Sequence, residues 1–400
     1  MNQTLLALDT RDFGTPDSVE DRIGFDIGWD HAHHGLVPPA ELLLEGTPLG
    51  QGWRAGKAVF GSRTLAALRS TRQWLVLRTL AWRRGIAFET QQLTPHYLAQ
   101  IHTEHCPVLR LPLGGSADHA AVVERLNPDA GYAAGNLATV SQAAAQAREG
   151  VDLQQALRLA QSSAAAAEPV GGLDAAAWTR LAVLRSFATK LPFFEAARLP
   201  LAVLPPNRVR LLNPAQGLQA LLTLQFATPG FSARARSVAE LLPAHTRRHD
   251  FNLFVGALAP RVLEATANAA SPRLALEDAW LNERVQRRWQ HFVLSLGEAG
   301  TDALLGRCAA RGLAGVRTLQ HAPEEATEGW ALAQGGRVRP PEPMRLRHLA
   351  QSPSGGGGSP PPGGDLSATP TAPSAARRET APPPRVPASR GSARHPLSAR

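Results

Sequence analysis

Apolar side chains recur at helical spacing in two long stretches of this chain. In the first, residues 276–296, one apolar stripe contains Leu281, Val285, Trp289, Phe292 and Leu296. The opposite face carries Arg284, Arg287 and His291. At 100° per residue this pattern predicts one amphipathic helix with its stripe in a core and its charged face in solvent. The second stretch, residues 63–84, predicts a helix that Ser62 caps and Gly85 ends.

Shorter elements are predicted between these helices and before them. The N-terminal part, over residues 24–57, is expected to be loop-rich because Gly and Pro recur there. Pro95 is placed to open a short helix. From there the chain is expected to form a helix, two antiparallel strands, a glycine loop and a last helix, at residues 93–105, 106–113, 119–126, 131–136 and 137–149.

Composition divides the chain into three parts. Residues 1–150 are expected to form one domain, and residues 161–172 (QSSAAAAEPVGG) are expected to link it to a mostly helical domain over 173–350. Residues 351–400 are rich in Pro, Gly, Ser and Arg and hold almost no large apolar side chain, so they predict a disordered tail. The expected fold class is α+β: a small ββα module inside a mostly α-helical protein, with a disordered C-terminal tail.

Apolar content and cysteine number limit the class of protein. The apolar fraction is 44%, which suffices for buried cores. No apolar run approaches the length of a membrane-spanning helix, and the first residues carry acids where a signal peptide carries basic groups. We therefore expect a cytoplasmic protein without a membrane partner. The two cysteines, Cys106 and Cys308, lie far apart, so neither a disulfide framework nor a zinc site is expected.

The formal net charge of +9 suggests an anionic partner, and nucleic acid is the first candidate. Two features weaken the inference from this charge to a nucleic-acid partner. Lys57 and Lys190 are the only lysines, and the excess of Arg and Ala is typical of a GC-rich coding background. Six arginines of the tail face only Asp365 and Glu379, so the remaining body is mildly basic.

One segment, residues 93–147, resembles the ββα-metal module of HNH endonucleases. The resemblance rests on the Cys106-Pro107 strand entry, the sequence ERLNP at 124–128 and the Gly-Tyr-Ala-Ala-Gly-Asn loop at 131–136. It is closest to the subgroup with an Asp-Arg-Ile-Asp-like strand end. The segment covers about an eighth of the chain. The resemblance implies a metal ion at the strand end, where it would neutralise the scissile phosphate while a base activates water.

The resemblance also assigns roles to single residues, and the candidate catalytic set is Glu124, Arg125 and Asn136. Glu124 takes the place of the strand-end Asp and would be the ligand of Mg²⁺, the one cofactor that the family implies. Arg125 stands where most members have the catalytic His, and an arginine cannot act as a base near neutral pH. Ala145 stands where the family has a further ligand. The module therefore predicts a kept fold with eroded metal chemistry.

Asn136 closes the glycine loop, and its side chain is expected to hydrogen-bond the backbone near 124–127. The glycines at 131 and 135 fit positions that a Cβ would obstruct.

Two further groups of residues carry candidate chemistry. Residues 25–34 concentrate Asp26, Asp30, His31, His33 and His34, which could hold a metal ion or form a capped loop with Asp30 as its N-cap. Within residues 63–84, one helical face contains Arg69, Arg72 and Arg83. Together with Arg125, these arginines are the candidate nucleic-acid-binding residues, because guanidinium groups bind phosphate. The alternative for residues 63–84 is a scaffold helix with basic ends.

Three functions remain open. The first is nucleic-acid binding, with DNA as the expected partner, on a degenerate HNH-like scaffold with weak or no cleavage. The second is an active metal-dependent endonuclease, which requires acids that converge near residue 124. The third is a protein-interaction or assembly factor, which requires a large exposed apolar patch on the helical half.

Overall fold

A computed structural model of the chain describes residues 18–227, 229–268, 271–313 and 327–338. These residues form mostly α-helix with one two-stranded antiparallel sheet, which confirms the α+β class. The predicted tail at 351–400 lies outside the described residues. Within the described ranges, none of the helices has the length and apolar character needed to cross a membrane.

The N-terminal part is helical, and the expectation of a loop-rich segment there is wrong. It forms α1 (Val19–His33) and α2 (Pro48–Phe60), which the side chains of Ser18 and Thr47 cap. The two helices pack with their backbones in contact. A Cβ added at Gly52 would lie 1.9 Å from the carbonyl oxygen of Phe25, so only glycine permits this approach.

The third helix is shorter than its apolar pattern predicts. It is α3 (Arg69–Arg83), and its N-cap is Leu68 rather than Ser62. The preceding residues are extended because the Leu65 amide donates to the His33 carbonyl at the end of α1 (2.8 Å), a tertiary contact that replaces a helical hydrogen bond. Gly85 follows the C-cap with φ +62°, as its predicted role at the helix end requires.

The ββα order is present between residues 93 and 149, but its elements differ from those expected. Pro95 opens a short helix as predicted. The elements are α4 (Pro95–Gln100), β1 (Ala121–Arg125), β2 (Leu137–Ser141) and α5 (Gln142–Ala147). β1 and β2 pair antiparallel, with Ala121 opposite Ser141 and Arg125 opposite Leu137.

Two of the expected elements in this segment are therefore wrong. Residues 106–113 are no strand, because the Arg110 amide donates to the Cys106 carbonyl (2.7 Å) and folds the segment on itself. Residues 137–141 form a strand rather than the start of a helix. Ser141 is the actual N-cap, and its hydroxyl accepts from the Ala144 amide (3.3 Å).

The remaining helices follow the hairpin in close succession. They are α6 (Leu153–Ala166), α7 (Ala175–Phe187), α8 (Phe193–Arg198), α9 (Pro214–Phe226), α10 (Phe231–Glu240), α11 (His245–Asn268), α12 (Pro272–Asp278) and α13 (Glu283–Ala310). The first half of the expected linker at 161–172 is wrong, because α6 extends through it from a capping box at Asp152. The division into domains at 150 and 173 stays a prediction.

The single helix expected over 276–296 is divided into two. α12 ends at Asp278, a 3-10 turn follows, and Asn282 caps α13 by accepting from two backbone amides. Leu281 lies in that turn, 41% exposed, so it leaves the apolar stripe, while the other four residues of the stripe are buried as expected.

Two apolar cores hold the hairpin between them. The larger core joins Leu126 and Val140 of the hairpin region to the aromatic side chains of the later helices, among them Trp178, Trp280 and Trp289. The smaller core packs α3 and α4 against Val123 and Leu137. All five residues of β2 are buried, so the strand end and its loop are fixed from both sides.

Candidate functional site

The candidate site lies where β1 ends and the chain enters the loop 126–136. Glu124 pairs with Ala138 and Arg125 with Leu137, so the loop leaves and re-enters the hairpin at one edge. The loop therefore connects the two strands, and its expected place between the second strand and the helix is wrong. Glu124, Arg125 and Asn136 meet at this edge.

Asn136 has the structural role that was expected of it. Its side chain is fully buried. The Oδ1 atom accepts from the Asn127 amide (2.8 Å), and the Nδ2 group donates to the carbonyls of Asn127 (3.1 Å) and Gly131 (3.0 Å). Because all three hydrogen bonds go to loop backbone and the side chain is fully buried, the amide fixes the loop on the strand end and is not accessible to a ligand.

Long-range contacts hold the same loop from outside. The Tyr97 hydroxyl accepts from the Gly135 amide (2.7 Å), and the Trp330 indole donates to the Ala134 carbonyl (3.0 Å). Gly135 has φ +91°, and a Cβ at Gly131 would lie 2.6 Å from the Ala87 carbonyl oxygen. Both glycines are therefore required, as their positions in the loop suggested.

Glu124 is engaged by a cation. Its carboxylate lies 2.7 Å from the Arg148 guanidinium, and both side chains are largely covered. Arg148 also donates to the Arg125 carbonyl at 2.6 Å, which binds the residue after α5 to the end of β1. A carboxylate in this ion pair is neutralised and does not present a free pair of oxygens to a metal ion.

Arg125 is fixed by the loop that it precedes. One of its terminal nitrogens donates to the carbonyls of Pro128 (2.8 Å) and Ala130 (2.7 Å). Its guanidinium lies over the Tyr132 ring, 5.2 Å from the centroid. Burial lowers the pKa of Arg125, yet arginine stays protonated near neutral pH. The side chain is a fixed positive charge that also supports the loop.

Further charged groups surround this pair. Burial lowers the pKa of Arg185 to about 10, and the positive charge of Arg148 contributes to the shift. The nearby acids are Asp129 and Asp152, whose charges act on Arg185 in the opposite sense. Burial raises the pKa of the Tyr132 hydroxyl, and the positive charge of Arg84, at the C-cap of α3, acts in the opposite sense. With Arg125, Arg148 and Glu124 these groups form the strand-end cluster, which carries four cations and three anions.

The strand-end cluster does not fit a magnesium site. The two further positions that the family would supply as ligands cannot serve. The Asn127 Nδ2 group donates to the Ala188 carbonyl (3.1 Å), and its Oδ1 atom accepts from the Asp129 amide (2.9 Å). Ala145 ends in a methyl group. Among the described residues no three His, Cys, Asp or Glu side chains converge as a metal site would require. The residues at the strand end therefore do not fit the metal ion that the resemblance implies.

The acidic and histidine-rich segment at 25–34 lies in α1, so its expectation as a capped loop is wrong. Asp30 forms an ion pair with the buried Arg78 of α3, and the His31 Nδ1 atom hydrogen-bonds the Ile27 carbonyl. Burial lowers the pKa of His31. These partners stabilise the packing of α1 on α3, and this segment also shows no metal-binding group within the described ranges.

The three arginines of α3 are all exposed, on a face that also presents Val76. Arg83 lies 3.6 Å from Glu41, whereas Arg72 donates to the Ala67 carbonyl. Arg69 and Arg72 occupy the first turn, about 16–21 Å along the helix axis from Arg83 at 1.5 Å per residue. Arg84, the residue after Arg83, belongs to the strand-end cluster.

Two features of the structure were not predicted from the sequence. Arg148 carries no local signal, because its partner Glu124 lies on a strand 24 positions earlier. A second missed feature is a cleft of about 710 Å³ around the buried Glu277, which accepts from the Leu204 amide and pairs with Arg110. Burial raises the pKa of Glu277.

Comparison with known proteins adds no assignment. No family model matches this chain, and neither a curated protein nor a solved structure does so. The likeness to HNH endonucleases therefore rests on the residues of segment 93–147.

Proposed function

We propose that the chain binds nucleic acid through the strand-end cluster and does not cut it. The observation that carries the proposal is the 2.7 Å ion pair between Arg148 and Glu124. It occupies the one strand-end acid that the HNH resemblance assigns to a metal ion. The strand-end cluster, with four guanidinium groups and three carboxylates, then carries one net positive charge.

Arg125 supports the proposal through its position and its fixation. In the HNH resemblance it takes the place of the catalytic base beside the scissile phosphate. Its guanidinium is held by two carbonyls and a ring, so little side-chain entropy is lost when it contacts a phosphate oxygen. Arg69, Arg72 and Arg83 on α3 are proposed as outer phosphate contacts, because they are exposed on one face.

A protein-interaction role is the second candidate. Large apolar side chains are exposed in the first 76 residues, where Val37, Leu44, Leu68 and Val76 are each more than 60% exposed. They lie outside the later helical part, where such a patch was expected. Protein binding with no affinity for nucleic acid would favour this candidate.

The test is the affinity for a fluorescently labelled DNA duplex, measured by anisotropy over a series of salt concentrations. Arg84→Gln removes an exposed charge of the cluster without touching the loop hydrogen bonds. We expect it to flatten the slope of log K against log salt by about one unit. The matched control is Arg158→Gln on α6, also exposed, which should leave the slope unchanged. Absence of binding by the wild-type chain at low salt would refute the proposal.

A further inference from the structure

The outer face of α13 carries a continuous row of cations. Their spacing of three, four and seven positions puts them on one side of the helix, and the row consists of Arg284, Arg287, Arg288 and His291. All four side chains are exposed, and together they line a concavity of about 370 Å³. A group that enters this open concavity lies against the three guanidinium groups and the imidazole.

These arginines are not neutralised by the rest of the described chain. Within the described residues the three guanidinium groups form no ion pair, and His291 lies 3.4 Å from Asp250 of α11. Glu283 is the acid at the start of the same helix. The residues just before Asp250 add positive charge, because α11 begins with the sequence HTRRHD. The row is therefore a surface with excess positive charge.

The burial of the opposite face of α13 argues against insertion of this helix into a membrane surface. Val285, Trp289 and Phe292 are buried in the larger core, and the Trp289 indole donates to the Ala197 carbonyl. An interfacial helix needs its apolar face to enter the lipid, and here that face is already covered. The exposed face offers charge without an apolar anchor.

The three guanidinium groups of the row suit phosphate as the ligand. A guanidinium group donates two parallel hydrogen bonds to phosphate oxygens, which a lysine ammonium cannot do. From Arg284 to His291 the row extends about 10 Å at 1.5 Å per residue. Along one strand of a duplex, charges recur about every 3.4 Å of axis, and the strand also winds around that axis, so a row of this length reaches about two or three neighbouring phosphates.

We propose that this row on α13 is a second nucleic-acid-binding surface, which holds the phosphate backbone of a duplex. This inference rests on the proposed function, because it takes the ligand of the strand-end cluster as the ligand of α13. It also gives the later helical part of the chain a function of its own.

The test compares two triple variants of the full chain that change the net charge equally. The first removes the row with R284Q, R287Q and R288Q. The second removes exposed arginines that lie outside the row, with R158Q, R198Q and R311Q. Each is measured for duplex affinity over a salt series, and urea unfolding confirms that both fold. The row variant should flatten the slope of log K against log salt by about 2–3 units, and the control variant should stay within one unit of the wild type.

Four outcomes would overturn the inference. An unchanged slope in the row variant, with a flattened slope in Arg84→Gln, would refute the α13 surface and leave the proposed function intact. Equal losses of duplex affinity in both triple variants would show that net charge alone causes the effect. A row variant that no longer sediments with phosphatidylserine vesicles but keeps its duplex affinity would identify a lipid surface as the partner of the row. No binding by the wild type would refute both proposals together.

Discussion

Replacement of Asn136 by Ala removes the side chain that fixes the loop to the strand end. Three hydrogen bonds are lost, and the Asn127 amide and the carbonyls of Asn127 and Gly131 stay buried without these partners. A net hydrogen bond contributes about 1 kcal/mol, and a buried group left unsatisfied costs about 1–3 kcal/mol. We expect the free energy of unfolding to fall by about 3 kcal/mol.

The assay is urea unfolding of the full chain, followed by far-ultraviolet circular dichroism. Asn207→Ala is the matched control, because its exposed amide donates once, to the Gln100 carbonyl. That change should alter the free energy by less than about 0.5 kcal/mol. If Asn136→Ala lowers the free energy of unfolding by no more than this control does, the three contacts do not hold the loop.

Other changes test the packing around the site. Asp30→Asn leaves the buried Arg78 without its anion and should lower the free energy of unfolding by about 2–3 kcal/mol in the same urea assay, because an unpaired buried charge is costly. Gly52→Ala should destabilise the protein because of its contact with α1, whereas Gly256→Ala, in the exposed interior of α11 with open space around it, should stabilise it by about 0.5–1 kcal/mol. Burial raises the pKa of Cys308 to about 11, so its thiol should not react with a thiol reagent at pH 8 until urea unfolds the chain; rapid labelling of the native protein would contradict this.

Local patterns were sufficient for part of the hairpin. The alternation around Val123 predicts β1, and the Gly-Asn ending of the loop predicts the hydrogen bonds of Asn136, because both depend on residues within ten positions. Pro95 likewise predicts the start of α4. These features were predictable because their causes lie within the segment itself.

Other features depend on contacts that no local pattern records. Residues 106–113 have the apolar character of a strand, but Pro107 and Pro112 have no amide hydrogen to donate to a ladder, and the segment turns instead. Arg148 meets Glu124, and Trp330 meets the loop 196 positions earlier, only because helix packing brings them together. Arg288 differs from these, since the helical spacing from Arg284 would have placed it in the row.

Incubation of supercoiled plasmid DNA with the full chain and Mg²⁺ at low salt separates binding from cleavage. One half of each sample is run on a gel intact, and the other half after the protein is removed. We expect retarded plasmid in the first half and fully supercoiled plasmid in the second, with Mn²⁺ giving the same result. Nicked plasmid that is absent with Glu124→Gln, or plasmid that is never retarded, would contradict binding without cleavage.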